Sequence, residues 1–372
     1  MSSHPRFVKS FDESVDVVVV GYGFAGAVSA ISAHDEGASV LLLEKMADPG
    51  GISVCAGGGL RLSRDKEAAF SYLKATNDGT TPDDVIKAFV DEMFTLEGFL
   101  EELVKVNDGK LMRTERSGSY PFPGHEALYF IQVEEVPGFD REKGYPHARS
   151  LQFGTNLMKV LEDNVNARDG IETRLSTAAA RLITGPDGAV QGLWAVGPDG
   201  QDQAIRTNKG VILACGGFEA NQAMQRQYWQ LNPVLSAAFR GNTGDGIRMA
   251  TDVGADLWHM WHFHGSYGFR HTDPDFPFAI RMKRLPDWVP EVRETDAVMS
   301  YILLDRKGSR FMNEYQPYLQ DTGHRPLDVM DPSTQEQPNI PCFCVVDEEG
   351  RKRYPLGGVV YNDRDVEPYE WS

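Results

Sequence analysis

The chain has 372 residues and carries 37 Lys and Arg against 54 Asp and Glu, a formal net charge of −17 at pH 7. That acidity argues against nucleic acid or anionic membrane as a partner, since both need basic surface. No apolar run approaches the ~18 residues that span a bilayer, the opening MSSHPRFVKSFDES lacks an apolar signal core, and four scattered cysteines (Cys55, Cys215, Cys342, Cys344) make no disulfide framework, so a cytoplasmic protein is expected.

The first element is the most informative. Val17 to Val20 form a short β-branched run that reads as a buried strand. Gly21, Gly23 and Gly26 follow in G-x-G-x-x-G spacing, with Ala25 between, and Ala27, Ala30, Ile31 and Ala33 continue as a small-residue helix face. A second apolar run, Val40 to Leu43, ends on Glu44 and Lys45. The first glycine allows a tight turn, the second close approach of backbone to a pyrophosphate, and the third close helix–strand packing. The helix start offers free N–H groups and positive dipole to phosphate, and Glu44 is placed for ribose hydroxyls. Strand, turn, helix, strand and acid together predict a dinucleotide site.

A nicotinamide domain would proceed to a third strand here. Instead Gly50-Gly51-Ile52-Ser53 and Gly57-Gly58-Gly59 make a long glycine-rich loop, which suits close backbone approach to a bulkier cofactor. The expected cofactor is FAD rather than NAD.

Residues 65–111 read as helices, with Val85, Ile86, Phe89, Val90 and Met93 at helical spacing after Pro82. Arg113 to His147 reads as an irregular loop rich in Pro, Gly and Tyr. An amphipathic helix is predicted over 151–168 through Leu151, Leu157, Val160, Leu161 and Val165. Then come four short strands, Ile171–Leu175, Ala178–Thr184, Val190–Val196 and Ala204–Thr207, with turn tetrads Gly185-Pro-Asp-Gly188 and Gly197-Pro-Asp-Gly200. This pattern predicts a small antiparallel meander laid on the dinucleotide domain. Val211 to Ala214 reads as one more buried strand, returning at Cys215-Gly216-Gly217, and Asp245 can cap a helix opened by Thr243-Gly-Asp-Gly246. His259, His262 and His264 share no one helix or strand face and lack an acid or cysteine to complete a zinc set; no metal is expected. From residue 262 onward aromatic, Pro and charged residues dominate (Phe276, Phe278, Trp288, Tyr301, Tyr315, Tyr318, Tyr354), and Ile302 to Phe311 has the look of a hairpin.

Taken together, Val17–Gly26, Glu44-Lys45, Gly50–Ser53, Gly57–Gly59, Ala214–Phe218, Thr243–Ile247 and Gly308–Glu314 resemble, in order, the flavoprotein superfamily of fumarate reductases, succinate dehydrogenase flavoprotein subunits and 3-ketosteroid dehydrogenases. The resemblance covers nearly the whole chain. It implies an α/β fold: a Rossmann-like FAD-binding domain of glutathione-reductase type over 14–261 and an inserted α+β capping domain over 262–372. It also implies FAD contacts from Ala178, Cys215, Gly216, Asp245 and Gly246, besides the turn, Glu44, Lys45, Gly51, Ile52, Ser53 and Gly57–Gly59. Chains of this superfamily continue past Ser372 with the rest of the cap and a final glycine-rich strand and helix, so a truncated or partial chain is expected.

Fumarate reductases hold a carboxylate with a His-Pro pair near residue 264, absent here, and follow Arg310–Glu314 with Thr-Thr-Arg, whose arginine is the proton donor. This chain reads Tyr315-Gln316-Pro317-Tyr318. A phenol cannot replace the two parallel N–H bonds of a guanidinium, and the ketosteroid dehydrogenases carry a tyrosine at this position. They also place a tyrosine from the region of Tyr120 in the steroid pocket. The resemblance therefore implies catalytic Tyr318 and Tyr120, a small apolar ketone (a steroid) as substrate, hydride transfer to flavin N5 and an external electron acceptor. The alternatives are an ene-type reductase of an unsaturated acid or ketone, and an FAD-binding module without activity.

Overall fold

The computed structural model describes residues 4–148, 152–263, 265, 267–282, 301–314, 324–353 and 356–358. Leu151, His264, Trp288, Tyr315, Tyr318 and Tyr354 lie outside the described residues. The chain opens with β1 (Glu13–Val20), α1 (Phe24–Asp35) and β2 (Val40–Leu43). These are followed by β3 (Leu60–Ser63), helices α2 (Lys66–Asn77), α3 (Asp83–Met93) and α4 (Leu96–Leu103), then β4 (Lys110–Thr114), β5 (Leu128–Glu135) and the short α5 (Arg141–Gly144). Next come α6 (Gln152–Asn166), β6 (Ile171–Arg174), β7 (Ala178–Thr184), β8 (Val190–Val196), β9 (Asp202–Leu213), α7 (Gln222–Tyr228) and α8 (Asp245–Asp252).

The main sheet has six strands in the order β6-β2-β1-β9-β8-β7. β6, β2, β1 and β9 run parallel, whereas β9, β8 and β7 are antiparallel. β1 is central and apolar on both faces, as a covered parallel strand requires. Val17 and Val19 enter a core with Ile31 of α1 and Leu157 and Leu161 of α6; Val18 and Val20 enter a second core with Leu41, Leu182, Leu193 and Met249. The β1–α1–β2 unit and the helix over 152–166 follow the expected pattern.

Several expectations change. Ala204–Thr207 and Val211–Ala214 are not separate strands: β9 is continuous over twelve residues. Its first half pairs antiparallel with β8 and its length pairs parallel with β1, with a register shift between Val15 and Val17 absorbing the irregularity. The meander is thus part of the main sheet rather than laid on it. Ile171–Arg174 belongs to the parallel half, beside β2. The two Gly-Pro-Asp-Gly tetrads do form the turns: Gly188 and Gly200 donate to Gly185 and Gly197 at 3.0 Å, both at positive φ.

The segment 113–147 is not wholly irregular. β5 is the middle strand of a second antiparallel sheet, β3-β5-β4, whose Leu62, Ile131 and Val133 join the first core. Beyond residue 262 two small sheets follow: β10 (Gly268–Phe269) and β11 (Ile280–Met282) with β14 (Gly357–Gly358), and β12 (Tyr301–Leu304) with β13 (Phe343–Val346), which precedes α9 (Glu348–Arg353). The expected hairpin over 302–311 reduces to one bridge, Leu304 to Arg310, because β12 takes β13 as its partner.

Candidate dinucleotide site

The carboxyl ends of β1, β2 and β9 open on a cleft of about 620 Å³, its mouth included. Such a crevice at the strand ends is where open α/β sheets take ligands. Gly21, Gly23, Glu44, Lys45, Gly51, Ile52, Ser53, Ala178, Cys215, Gly216 and Asp245, all expected cofactor contacts, line it.

The turn needs its glycines for different reasons. Gly21 has φ +102, and a Cβ there would stand 2.5 Å from the Ala214 carbonyl oxygen, at the end of the neighbouring strand. A Cβ on Gly26 would stand 1.7 Å from the Gly21 carbonyl oxygen. α1 starts at Gly23 with no side-chain cap and no acid in its first turn. By contrast, Asp65 and Asn221 accept N–H bonds at the starts of α2 and α7. The open start of α1 has N–H groups to give. Among the described residues, the one side chain engaging an N–H there is Ser53, whose Oγ accepts from Phe24 at 3.2 Å.

Glu44 is 7% exposed. Its Oε2 accepts the Tyr22 N–H at 2.9 Å and its Oε1 the Met46 N–H at 2.8 Å, leaving each oxygen a lone pair for a hydroxyl donor. Burial raises its pKa above the ordinary 4.5, and backbone N–H groups of Tyr22, Met46 and Lys45 with the Lys45 charge only partly offset this. A raised folded value means the stability contributed by Glu44 is full below the ordinary value and lost as pH rises through the raised one. In the protein stripped of nucleotide, Glu44→Gln should remove that component. Thermal unfolding of both proteins from pH 4 to 8 measures it; equal pH dependence would contradict the assignment.

Lys45 bridges the cleft. Its Nζ donates to Asp245 Oδ2 at 2.7 Å and Thr243 Oγ1 at 2.9 Å. Burial raises the Asp245 carboxyl, but the bond from Lys45, its charge, Thr243 and Arg248 together leave the pKa below the ordinary value. Asp245 is not the N-cap of α8: Gly244 holds that position at φ +77, and no side-chain bond caps the helix. The carboxylate is instead committed to Lys45 and Thr243, which ties the end of β2 to the start of α8.

The remaining expected contacts sit nearby but outside the lining. Ala25 is exposed on the first turn of α1. Gly58 is buried and has φ +63, with a Cβ position 2.3 Å from the Phe153 carbonyl oxygen, so it serves packing against α6. Gly59 abuts the Phe130 ring, Gly57 has open space at its Cβ position, and Gly246 abuts Cys215 Sγ. Tyr120 packs with Phe70 and Leu73 against the α2–α3 cluster and donates its N–H to Tyr72 Oη at 3.1 Å. His259 stacks on Trp258 at 4.8 Å and His262 lies against Arg325. Among the described residues no group of three His, Cys, Asp or Glu is gathered to hold a metal, and no helix is long and apolar enough to cross a membrane.

Sequence reasoning missed Phe239, Gly241 and Asn242, which also line the cleft. Asn242 is 7% exposed and donates to Glu219 Oε1 at 2.5 Å; Gly216 is glycine because a Cβ would meet the Asn242 amide at 2.5 Å. The signal was present in the rhythm Gly241-Asn-Thr-Gly244-Asp-Gly246, of which only the second half was used.

A cofactor with a pyrophosphate, a ribose and a long flat arm fits these features. The uncapped helix start would take the phosphates, Glu44 the ribose, and the glycine walls let backbone approach the rest. Comparison with known proteins agrees. The family described as FAD binding domain matches residues 16–322. A 3-oxosteroid 1-dehydrogenase of Mycobacterium tuberculosis is 25% identical over 413 residues, covering 93% of this chain and 70% of the relative. An NADH:fumarate oxidoreductase of Klebsiella pneumoniae is 30% identical over 247 residues, covering 65% of this chain and 25% of that protein. Among solved structures, the 3-ketosteroid delta1-dehydrogenase of Sterolibacterium denitrificans superposes with a TM-score of 0.74 at 22% identity, over 96% of this chain and 72% of that one.

Proposed function

The chain belongs to the FAD-binding domain family, and from that premise we propose that it removes a proton and a hydride from adjacent carbons beside a ketone, as a 3-ketosteroid dehydrogenase does. FAD is its cofactor. We take residues 14–261 as the FAD-binding domain and 262–372 as the cap that receives the substrate.

The reading rests on the sequence Tyr315-Gln316-Pro317-Tyr318, which by the resemblance to fumarate reductases offers a phenol in place of their carboxylate-clamping arginine. The approach to that sequence is firmly held. Glu314 is buried, accepts the Leu303 N–H at 2.7 Å and forms an ion pair with Arg310 at 2.5 Å. In this proposal Tyr318 takes the proton from the carbon next to the ketone. Its phenol, ordinarily near pKa ~10, needs a neighbouring positive charge or a second phenol to act as base. Tyr120 is proposed as that second phenol. When bound, FAD supplies the acceptor for the hydride. Tyr267, Met282, Tyr301 and Leu303, with Phe269 and Phe311 against them, form a hydrophobic core of their own in this region.

A second reading, an ene-type reductase of an unsaturated acid, has the fumarate oxidoreductase match in its favour. Anaerobic mixing separates the two. A 3-ketosteroid should bleach the oxidised flavin, while fumarate and urocanate should leave the chemically reduced flavin unoxidised. Reoxidation by either acid that survives Tyr318→Phe would overturn the first reading.

A further inference from the structure

We propose that Arg61 and Arg116 form a carboxylate-binding site beside the Gly57–Gly59 loop, and that the substrate carries an acid group seated there. This deepens the ketone reading above and rests on it for the position of the reacting carbons. Arg61 lies on β3, on the face opposite Leu60 and Leu62, which enter the core. Its guanidinium carbon is 3.6 Å from the centroid of the Phe130 ring, and that ring also touches the Cβ position of Gly59. The cation is therefore one aromatic ring away from the glycine loop.

Arg61 Nη1 donates to the carbonyl oxygens of Arg116 at 2.6 Å and Ser117 at 3.0 Å. These bonds fix the guanidinium plane without neutralising it. Nε and Nη2 have no hydrogen-bond partner among the described residues, so half of the donor fork is unspent. Burial pulls the Arg61 pKa down to about 10; Tyr72 acts the other way, and the neighbouring Arg116 charge reinforces the fall. Two like charges thus share a half-buried site, and among the described residues neither has a carboxylate partner.

That is unusual in this chain. With a net charge of −17, acids are plentiful, and the arginines nearest in sequence have taken them: Arg64 pairs with Glu115 and Arg113 with Glu97. A half-buried guanidinium left without an acid is costly unless an anion completes it. The Phe130 ring under Arg61 would pack the flat body of such a ligand.

The test uses the FAD-loaded protein and two acid–ester pairs: a 3-ketosteroid with a side-chain carboxylate and its methyl ester, and cinnamate with methyl cinnamate. Perturbation of the flavin spectrum gives each Kd. The acid of at least one pair should bind at least about tenfold tighter than its ester. Arg61→Gln and Arg116→Gln should each erase that preference without changing FAD content or ester binding. The Arg116 side chain makes no hydrogen bond among the described residues, so its variant tests the site without disturbing the fold. Esters binding as well as acids, no perturbation by any of the four compounds, or a preference that survives both substitutions would overturn the site. Steroid binding with no acid preference in either pair defeats the arginine site alone. Acid preference for cinnamate with no binding of either steroid defeats the ketone reading and leaves the arginine site standing.

Discussion

Gly26→Ala is expected to yield a protein that retains no FAD and is less stable by about 3 kcal/mol or more, the upper range for forced overpacking. The sign is not obvious from local propensity. Gly26 lies within α1, where alanine would ordinarily gain about 1 kcal/mol over glycine. Packing decides against that gain. The new Cβ would sit 1.7 Å from a backbone oxygen, that of Gly21, and Gly21 is held to the neighbouring strand by its N–H bond to the Leu43 carbonyl oxygen at 2.7 Å. The helix must therefore lift off β1, and its start then no longer faces the phosphates. Gly37→Ala is the control. Gly37 also has positive φ, +84, but nothing lies within 4 Å of its Cβ position, so only the backbone term of about 1 kcal/mol remains. Denaturant unfolding and the FAD content of the purified variants measure both. A Gly26→Ala protein that is yellow and fully stable would contradict the packing account.

Tyr318→Phe is expected to lower the rate of ketone dehydrogenation by 10²–10⁴, roughly the contribution of a positioned general base, while FAD content stays at the wild-type level. The phenylalanine keeps the ring and its packing, so a loss confined to turnover assigns the effect to the hydroxyl. The pH profile adds a second readout: the wild-type rate should rise with pH through the pKa of the base, and the residual rate of Tyr318→Phe should not. Single-turnover bleaching of the flavin under anaerobic conditions isolates the step. A variant with unchanged bleaching would remove Tyr318 from the chemistry.

Much of the dinucleotide half was legible because its residue types have no substitutes. Gly21 and Gly26 are required by contacts with backbone atoms, and Glu44 by the end of a buried parallel strand. The Gly-Pro-Asp-Gly turns were legible for the same reason: positive φ at their last residue demands glycine. What escaped depends on tertiary pairing. β9 looked broken because Asn208-Lys209-Gly210 interrupts the apolar pattern, yet the strand passes it with a register shift against β1. β5 looked like loop because Leu128-Tyr-Phe-Ile131 shows no polar alternation; it is covered on both faces, by the core on one and by Arg61 and the Gly57–Gly59 loop on the other. Asp245 carried a cap signature, but the ammonium of Lys45, distant in sequence, claimed its carboxylate. Ion pairs across 200 residues leave no local pattern to read.

The claim on which the rest depends is that the cleft at the ends of β1, β2 and β9 holds FAD. The visible absorption spectrum of the purified protein, followed by heat release and identification of the chromophore, tests it most directly. The account predicts the two oxidised-flavin bands, release of FAD rather than FMN, and loss of both in Gly26→Ala. A colourless protein whose unfolding temperature does not rise when FAD is added would contradict it.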